Sequence, residues 1–398
     1  MNTKCVIGGT FDCPTNGHLH IIQKACNMFD EVIVVIAQNP NKKTMFSLEE
    51  RKEMVKDMVF DLEKVKVEIL TEYKYLVNYA YDIGATSLVR GIRDNIDFAY
   101  EQGLCRTNKQ IQPKVETVYL MPDDNYSIVS SSWVKGLVGM NGWRKVIEPH
   151  VSKAVLKKIE EKFIHGVVMD VCKRLDIEEP QKVWDYMVRN YSTRPYHNFG
   201  HLISGLEAFN SYYEESDDKT YKRADAIKRA DAIERADAIT LYSWLLHDVD
   251  ESEDISIEMA ICLLGNRKNF SIDYSSIIRK LIAATKHKSC EYATEEEKAF
   301  ASVDLLCLSF PHGEYDIYSK SVFAEYLNKS GLEHNEFYEK WEQGRSEFIE
   351  KMLAREFIYP WTKIRNATRI GTYVFEDMES IARGNLTYEL AILKRQIT

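Results

Sequence analysis

The stretch Gly8-Gly9-Thr10-Phe11-Asp12-Cys13-Pro14-Thr15-Asn16-Gly17-His18 decides how this chain is read. It follows a short apolar run at 5–7 and opens a helical pattern over 18–28. Two glycines at the end of a strand let the backbone come close to a bound group, and the first turn of a helix offers unpaired N–H donors to an anion. Thr10 adds a hydroxyl, and His18 stands in that first turn, aimed at the same spot. Together they predict a phosphate site at the carboxyl edge of a parallel sheet, where α/β proteins bind their ligands. A purely structural turn with an internally hydrogen-bonded histidine is the alternative that these residues alone leave open.

Outward from this turn, β-rich runs at 5–7, 31–36, 66–70, 87–89 and 116–120 alternate with helical stretches such as 48–60 and 77–83. Such alternation predicts βαβ units, hence an α/β Rossmann-like domain with a parallel sheet. After about Pro149 the strand signal fades and helical segments follow one another at 151–163, 167–175, 183–191, 238–246, 257–264, 276–285 and 337–354. The expected organisation is an α/β domain over 1–160 and an all-α domain over 161–398, with 151–163 either closing the first or linking the two. The charge changes at the same place. Residues 1–160 carry 21 Lys+Arg against 20 Asp+Glu, and 161–398 carry 31 against 41, so the halves stand at +1 and −10.

A net charge of −9 over 398 residues argues against a broad electrostatic footprint for nucleic acid or an anionic membrane. No apolar run approaches the ~20 residues of a membrane helix, and the first residues lack a secretory pattern. The eight cysteines are scattered with no CxxC pair, which reads as reduced thiols in a cytoplasmic protein. A repeat, RADAIK-RADAIE-RADAIT over 223–240, is Ala-rich with favourable i,i+4 pairs and predicts helix. Its six-residue step turns Ile227, Ile233 and Ile239 in three directions, so it is no coiled-coil stripe.

Further motifs follow the opening turn in order: Phe29-Asp30-Glu31-Val32, Asn39-Pro40-Asn41-Lys42-Lys43, Phe46-Ser47-Leu48-Glu49-Glu50-Arg51 and Val89-Arg90-Gly91-Ile92-Arg93. Asp97-Phe98-Ala99-Tyr100-Glu101, Glu116-Thr117-Val118-Tyr119-Leu120-Met121 and Tyr126-Ser127-Ile128-Val129-Ser130-Ser131-Ser132-Trp133-Val134-Lys135 complete the set. With the TxGH signature Thr15-Asn16-Gly17-His18, residues 1–160 resemble the bacterial phosphopantetheine adenylyltransferases of the nucleotidyltransferase superfamily. The resemblance implies transfer of AMP from ATP to 4′-phosphopantetheine, with Mg²⁺ and without a covalent enzyme intermediate, giving dephospho-CoA and pyrophosphate in coenzyme A biosynthesis. It implies that His18 and Thr10 contact the transferring phosphate, with Phe11 beside them, and that Lys42 bridges acceptor and α-phosphate. Arg90 would hold the acceptor's phosphate and Leu76 would line the acceptor site. Gly91, Ile92, Arg93 and Glu101 would bind ATP, Glu101 towards the ribose, with Arg93 also catalytic. Tyr126, Ser127, Ile128, Val129, Ser130, Ser131 and Ser132 would cradle the terminal phosphates. The family is commonly hexameric, which implies a homo-oligomer. Departures at 74–79 and 104–108, where the family lines the pantetheine arm, motivate an alternative acceptor such as nicotinamide mononucleotide or a sugar- or polyol-phosphate; Gly136 stands where the family usually has Glu.

The second half carries Tyr196-His197-Asn198-Phe199-Gly200-His201 ahead of a helix, His247-Asp248 at a helix end, and Ser302-Val303-Asp304 inside an apolar helix. Imidazoles and carboxylates spread over several helices suit a hard or borderline divalent cation. The order His…His-Asp…Asp resembles the HD superfamily of metal-dependent phosphohydrolases over roughly 165–365, supported by Ala283-Ala284-Thr285-Lys286-His287 and by Arg345-Ser346-Glu347-Phe348-Ile349 ahead of Ile358-Tyr359. That resemblance implies a divalent metal on His201, His247, Asp248 and Asp304, with His197 and His287 around it, and a phosphorylated substrate of unknown identity. The alternative is a metal-binding module without turnover. Adjacent residues on a regular helix point ~100° apart, so His247 and Asp248 share one ion only where the helix geometry lets them.

Overall fold

The computed structural model describes residues 3–38, 42–71, 75–215, 235–250, 252–265, 274–287, 292–355 and 378–395. By its packing the chain divides into two compact units, Met1–Lys162 and Phe163–Thr398.

In the first unit five parallel strands stand in the order β3-β2-β1-β4-β5. They are β1 (Lys4–Gly9), β2 (Glu31–Ile36), β3 (Val65–Ile69), β4 (Ser87–Gly91) and β5 (Glu116–Leu120). The central strands read as nearly continuous apolar runs because both of their faces are covered. Cys5, Ile7, Val32, Val34, Ile36 and Val89 join one core cluster, while Val6, Ile33, Val35 and Leu88 join the other. The strand order reverses between β1 and β4, so a crevice opens at their carboxyl ends, at Gly8-Gly9 and Arg90-Gly91. Helix α1 (Asn16–Met28) starts beside β1, two residues before the sequence pattern suggests. The remaining helices of this unit are α2 (Leu48–Met58), α3 (Leu76–Asp82), α4 (Asn95–Ile111), α5 (Asp124–Ser127), α6 (Ser131–Leu137) and α7 (Trp143–Ile147).

The turn between β1 and α1 is fastened from below by Arg51 of α2, a fully buried guanidinium. It donates to the carbonyls of Thr10 (2.7 Å), Ala37 (3.3 Å) and Ser47 (3.1 Å) and to Gln38 Oε1 (3.0 Å). Gly9 is required for a steric reason: a Cβ there would lie 2.9 Å from the Phe11 ring, which is packed into the core.

The regular elements described in the second unit are helical. Helix α8 (Lys153–Arg174), whose first ten residues count with the first unit, runs through both of the segments expected at 151–163 and 167–175. Between them Gly166 is the weakest helix former, and one glycine costs only about 1 kcal/mol relative to alanine. There follow α9 (Pro180–Tyr191), α10 (Phe199–Glu215), α11 (Arg235–Leu246), α12 (Glu253–Leu264), α13 (Tyr274–Ala284) and α14 (Glu295–Asp304). Then come α15 (His312–Ser330), α16 (His334–Leu353) and α17 (Met378–Arg395). Most of the RADAI repeat, with its Asp/Arg pairs, lies outside the described residues, as do Ile358 and Tyr359; Ala238 and Ile239 at its end are buried in α11. Among the described residues no helix is long and apolar enough to cross a membrane.

Helices α10 and α11 meet where Gly205 faces Trp244. A Cβ on Gly205 would stand 1.9 Å from the indole Cζ2, and the indole is pinned by its Nε1–H, which donates to Leu202 O at 2.9 Å. Gly205→Ala should therefore destabilise the second unit by about 2–3 kcal/mol, the cost of overpacking a filled site. Urea denaturation followed by tryptophan fluorescence checks this; an unchanged midpoint would mean that the two helices are not this close.

Candidate functional site

The crevice at the ends of β1 and β4 holds a cavity of about 530 Å³. Its wall includes Thr10, Phe11 and His18 from the turn and the first helix, Lys42, and Arg90, Gly91 and Arg93 from the end of β4. Glu101 of α4 and Tyr126, Val129, Ser130, Ser131 and Ser132 complete the predicted set found there. Four predicted residues stand elsewhere. Leu76 packs against Gly8, whose Cβ would fall 2.1 Å from Leu76 Cδ2, and Ile92 is buried. Ile128 is 68% exposed, and Ser127 Oγ donates to Asp124 O at 2.8 Å. The wall carries Lys42, Lys43, Arg90, Arg93 and Lys135 against Asp12, Asp97 and Glu101, an excess of two positive charges suited to a polyphosphate.

Local hydrogen bonding orients His18. The Thr15 backbone N–H donates to Nδ1 at 3.0 Å, and Thr15 Oγ1 lies 2.9 Å from the same nitrogen. An Nδ1 that accepts leaves the proton of the neutral ring on Nε2. Burial, helped by the Arg93 charge, pushes the His18 pKa down to about 4, so the ring is a neutral donor at physiological pH. Phe11 flanks the imidazole at a centroid distance of 5.0 Å.

Asp12 and Lys135, two of the charged residues in the wall, were given no role by the sequence alone. The buried Asp12 carboxylate accepts from the N–H groups of Met45 and Phe46, each at 3.0 Å, and pairs with Lys135 Nζ at 2.5 Å. It ties the segment after Lys42 to the turn. Its place inside the opening motif was legible, but its partners, 33 to 123 residues away, were not. The two arginines are also engaged: Arg93 pairs with Asp97 at 2.8 Å, and Arg90 with Glu101.

In the second unit His201, His247, Asp248 and Asp304 each bring one ligand-type atom into a group that spans no more than 4.8 Å. His247 Nε2 lies 2.9 Å from Asp248 Oδ2, 3.4 Å from Asp304 Oδ1 and 3.4 Å from His201 Nε2. Helix α11 ends at Leu246, so His247 and Asp248 stand on a turn and escape the 100° separation of a regular helix. Asp304 is the last residue of α14, not an interior position as expected; there its carboxylate is free to face the other three. His247 Nδ1 stands 2.7 Å from Trp244 O, so that nitrogen donates and Nε2 is the one turned to the cluster. Burial disfavours charge on both carboxylates, but the neighbouring imidazoles outweigh it and hold Asp248 and Asp304 below the usual carboxylate range. Asp248 Oδ2 is buried without a hydrogen bond, as a ligand atom would be.

His197 and His287 flank this group. His197 Nε2 lies 3.5 Å from Asp248 Oδ2, and His287 Nε2 lies 2.9 Å from Asp304 Oδ2. Glu325 of α15, 1% exposed, holds His197 in place and had no sequence signal. It accepts from Arg194 Nε (2.8 Å), the N–H groups of Tyr196 (3.0 Å) and His197 (2.9 Å), and His197 Nδ1 (2.9 Å). Arg345 sits in the helical core, where it pairs with Glu389 of α17 at 3.0 and 3.1 Å.

Known proteins resemble the first unit. The family model described as cytidylyltransferase-like matches residues 6–136. A phosphopantetheine adenylyltransferase of Chromobacterium violaceum is 39% identical over 156 residues, 39% of this chain and 94% of that protein. One from Neisseria meningitidis serogroup C is 40% identical over 162 residues, 41% of this chain and 95% of that protein. One from Nautilia profundicola is 43% identical over 142 residues, 36% of this chain and 91% of that protein. With this identity over nearly the full length of its relatives, and with a parallel sheet that closes on a basic cavity around a TxGH histidine, the chain belongs to the phosphopantetheine adenylyltransferase family.

Proposed function

We propose that the chain joins adenylyl transfer, over residues 1–160, to metal-dependent phosphate-ester hydrolysis, over residues 161–398, and that it works as a homo-oligomer in the cytoplasm. For the first activity, a phosphate oxygen of 4′-phosphopantetheine attacks the α-phosphorus of ATP. The bond from that phosphorus to the β-phosphate bridging oxygen breaks, pyrophosphate leaves with the electron pair, and dephospho-CoA remains. Mg²⁺ bound to the ATP phosphates supplies charge neutralisation at the leaving group. The observation that carries this reading is the neutral His18, its tautomer fixed by Thr15, in a cavity lined by Lys42, Arg90 and Arg93. An Nε2–H held in place donates best to charge that develops on the α-phosphoryl oxygens in the transition state. Lys42 would bridge the two reacting groups, Thr10 would add its hydroxyl, and Ser130, Ser131 and Ser132 would meet the outer phosphates.

His18→Ala should lower kcat by about 10²–10³-fold and leave the KM for ATP within about threefold, because the lost contact belongs to the transition state. Since His18 titrates near 4, the wild-type kcat should show no His18 ionisation between about pH 6 and 8 and should fall only in acid. Steady-state assays of pyrophosphate release check both. Near-normal turnover of the variant would remove His18 from the reaction, and transfer of AMP to nicotinamide mononucleotide instead would reassign the acceptor.

For the second activity we propose an HD-type domain that holds a divalent cation on His201, His247, Asp248 and Asp304. The support is the convergence of these four side chains, with His247 Nε2 turned to the other three and Asp248 Oδ2 buried without a hydrogen bond. A cation bound there supplies a Lewis acid for a phosphoryl oxygen and a water acidic enough to react near neutral pH. Asp248→Ala should abolish the stoichiometric divalent metal of the purified full chain, measured by plasma mass spectrometry. It should also lower the melting temperature of the second unit while pyrophosphate release by the first stays within about twofold. A wild-type protein purified without metal, or a variant with unchanged metal content, would contradict the assignment.

A further inference from the structure

One face of α1, outside the cavity, grips the segment that leads from β5 to the serines at 130–132. Gly17, His20 and Lys24 follow one another at steps of three and four residues, so they share that face. Gly17 brings α1 against the segment's backbone: a Cβ there would stand 3.5 Å from Tyr126 O and 3.6 Å from Val129 O, in ordinary contact. One turn on, the His20 ring stacks on the Tyr126 ring, with 4.7 Å between centroids and 26° between planes. The same imidazole turns Nε2 to Asp123 Oδ2 at 3.3 Å. A further turn on, Lys24 Nζ donates to Asp123 Oδ1 at 2.7 Å and to Met121 O at 2.8 Å.

Within the segment the Tyr126 N–H donates to Asp123 O at 2.9 Å and the Val129 N–H to Tyr126 O at 3.3 Å, so a hold on Tyr126 is a hold on the whole bend. Beyond it Ser131 Oγ donates to Cys13 O at 2.6 Å. The bend is thus pinned by α1 on one side and by the turn before α1 on the other. Tyr126 and Val129 belong to the cavity wall, whereas His20, Lys24 and Asp123 do not. The two contacts of His20 differ in weight. Asp123 is 64% exposed, and an ion pair at such a carboxylate contributes little, while stacked rings gain from contact as well as burial.

We propose that His20 is a positioning residue for ATP: its ring holds Tyr126, and through Tyr126 the bend that presents the serines at 130–132 to the outer phosphates, without touching the nucleotide itself. This rests on the adenylyl-transfer reading above. A bend fixed before ATP arrives has less freedom to lose on binding, so the hold is felt in ATP affinity. It is not felt in the chemical step. Residues two apart on a helix stand about 200° apart around its axis, so His18 and His20 serve different faces of α1.

The test titrates the full chain with ATP and Mg²⁺ in a calorimeter, without acceptor, and sets the Kd beside kcat and KM from pyrophosphate release. His20→Ala should raise the Kd and the KM for ATP about five- to tenfold and leave kcat and the KM for 4′-phosphopantetheine within about twofold. His20→Phe, which keeps an aromatic face for Tyr126 and loses the pair with Asp123, should recover most of the affinity. His20→Leu fills the space without a ring, should bind as weakly as His20→Ala, and serves as the readout if that variant does not fold. His20→Ala/Tyr126→Ala should be no worse than Tyr126→Ala alone, because His20 acts through Tyr126. Unchanged ATP affinity in His20→Ala or His20→Leu would overturn the proposal. A fall in kcat at unchanged Kd would make His20 a partner of His18, and additive effects would mean that it does not act through Tyr126; either overturns it too. A wild-type chain that forms no dephospho-CoA would overturn the functional reading beneath, while the calorimetric comparison of the variants still decides this one.

Discussion

One hydrogen bond, from the Thr15 N–H to His18 Nδ1, joins the fold of the first unit to its chemistry. It satisfies a donor at the start of α1 that would otherwise lack a partner, and it settles which ring nitrogen keeps the proton. It is useful only because the turn around it is rigid. Arg51 fixes the turn through the Thr10 carbonyl, and Asp12 ties it to Met45 and Phe46. Burial and the Arg93 charge then keep the ring neutral, so His18 donates a hydrogen bond without adding a fixed charge. The positive charge of the cavity wall is carried instead by the lysines and arginines around it.

The second unit uses the same device in a different fold. His247 also spends Nδ1 on a local backbone partner, here the Trp244 carbonyl, and turns Nε2 towards its neighbours. Trp244 stacks on His247 at 4.1 Å, and Gly205 makes room for the indole, so a helix–helix contact sets the imidazole in place. Glu325 performs the corresponding service for His197 through Nδ1. In each case Nδ1, the nitrogen nearer the backbone, is held, and Nε2 is left for other contacts.

The sheet was legible in the sequence because central strands of a parallel sheet are apolar on both faces, and runs such as 31–36 have no other economical reading. The adenylyl-transfer motifs were legible because glycines, hydroxyls and basic residues cluster at strand ends. Helices α10, α15 and α17 carried weaker signals. The first begins inside a motif read for its histidines, and the other two bury only part of their surface. The partners of charged groups were invisible. Arg90 and Glu101 are 11 residues apart, Asp12 and Lys135 are 123 apart, and His197 and Glu325 are 128 apart. Such pairs are set by where helices and strands return, which no local pattern encodes. Glu325 in particular looks like one more acidic residue on a helix until the fold surrounds it.

In the proposed reaction the first unit transfers the adenylyl group of ATP to a phosphorylated acceptor. Phosphorus NMR of the full chain with ATP, Mg²⁺ and 4′-phosphopantetheine follows every phosphorus atom in one spectrum. The three ATP resonances should decay together, replaced by the paired resonances of the new phosphoric anhydride in dephospho-CoA and by pyrophosphate in equal amount. Decay of ATP to ADP and inorganic phosphate, with the acceptor's phosphate unchanged, would contradict that reaction.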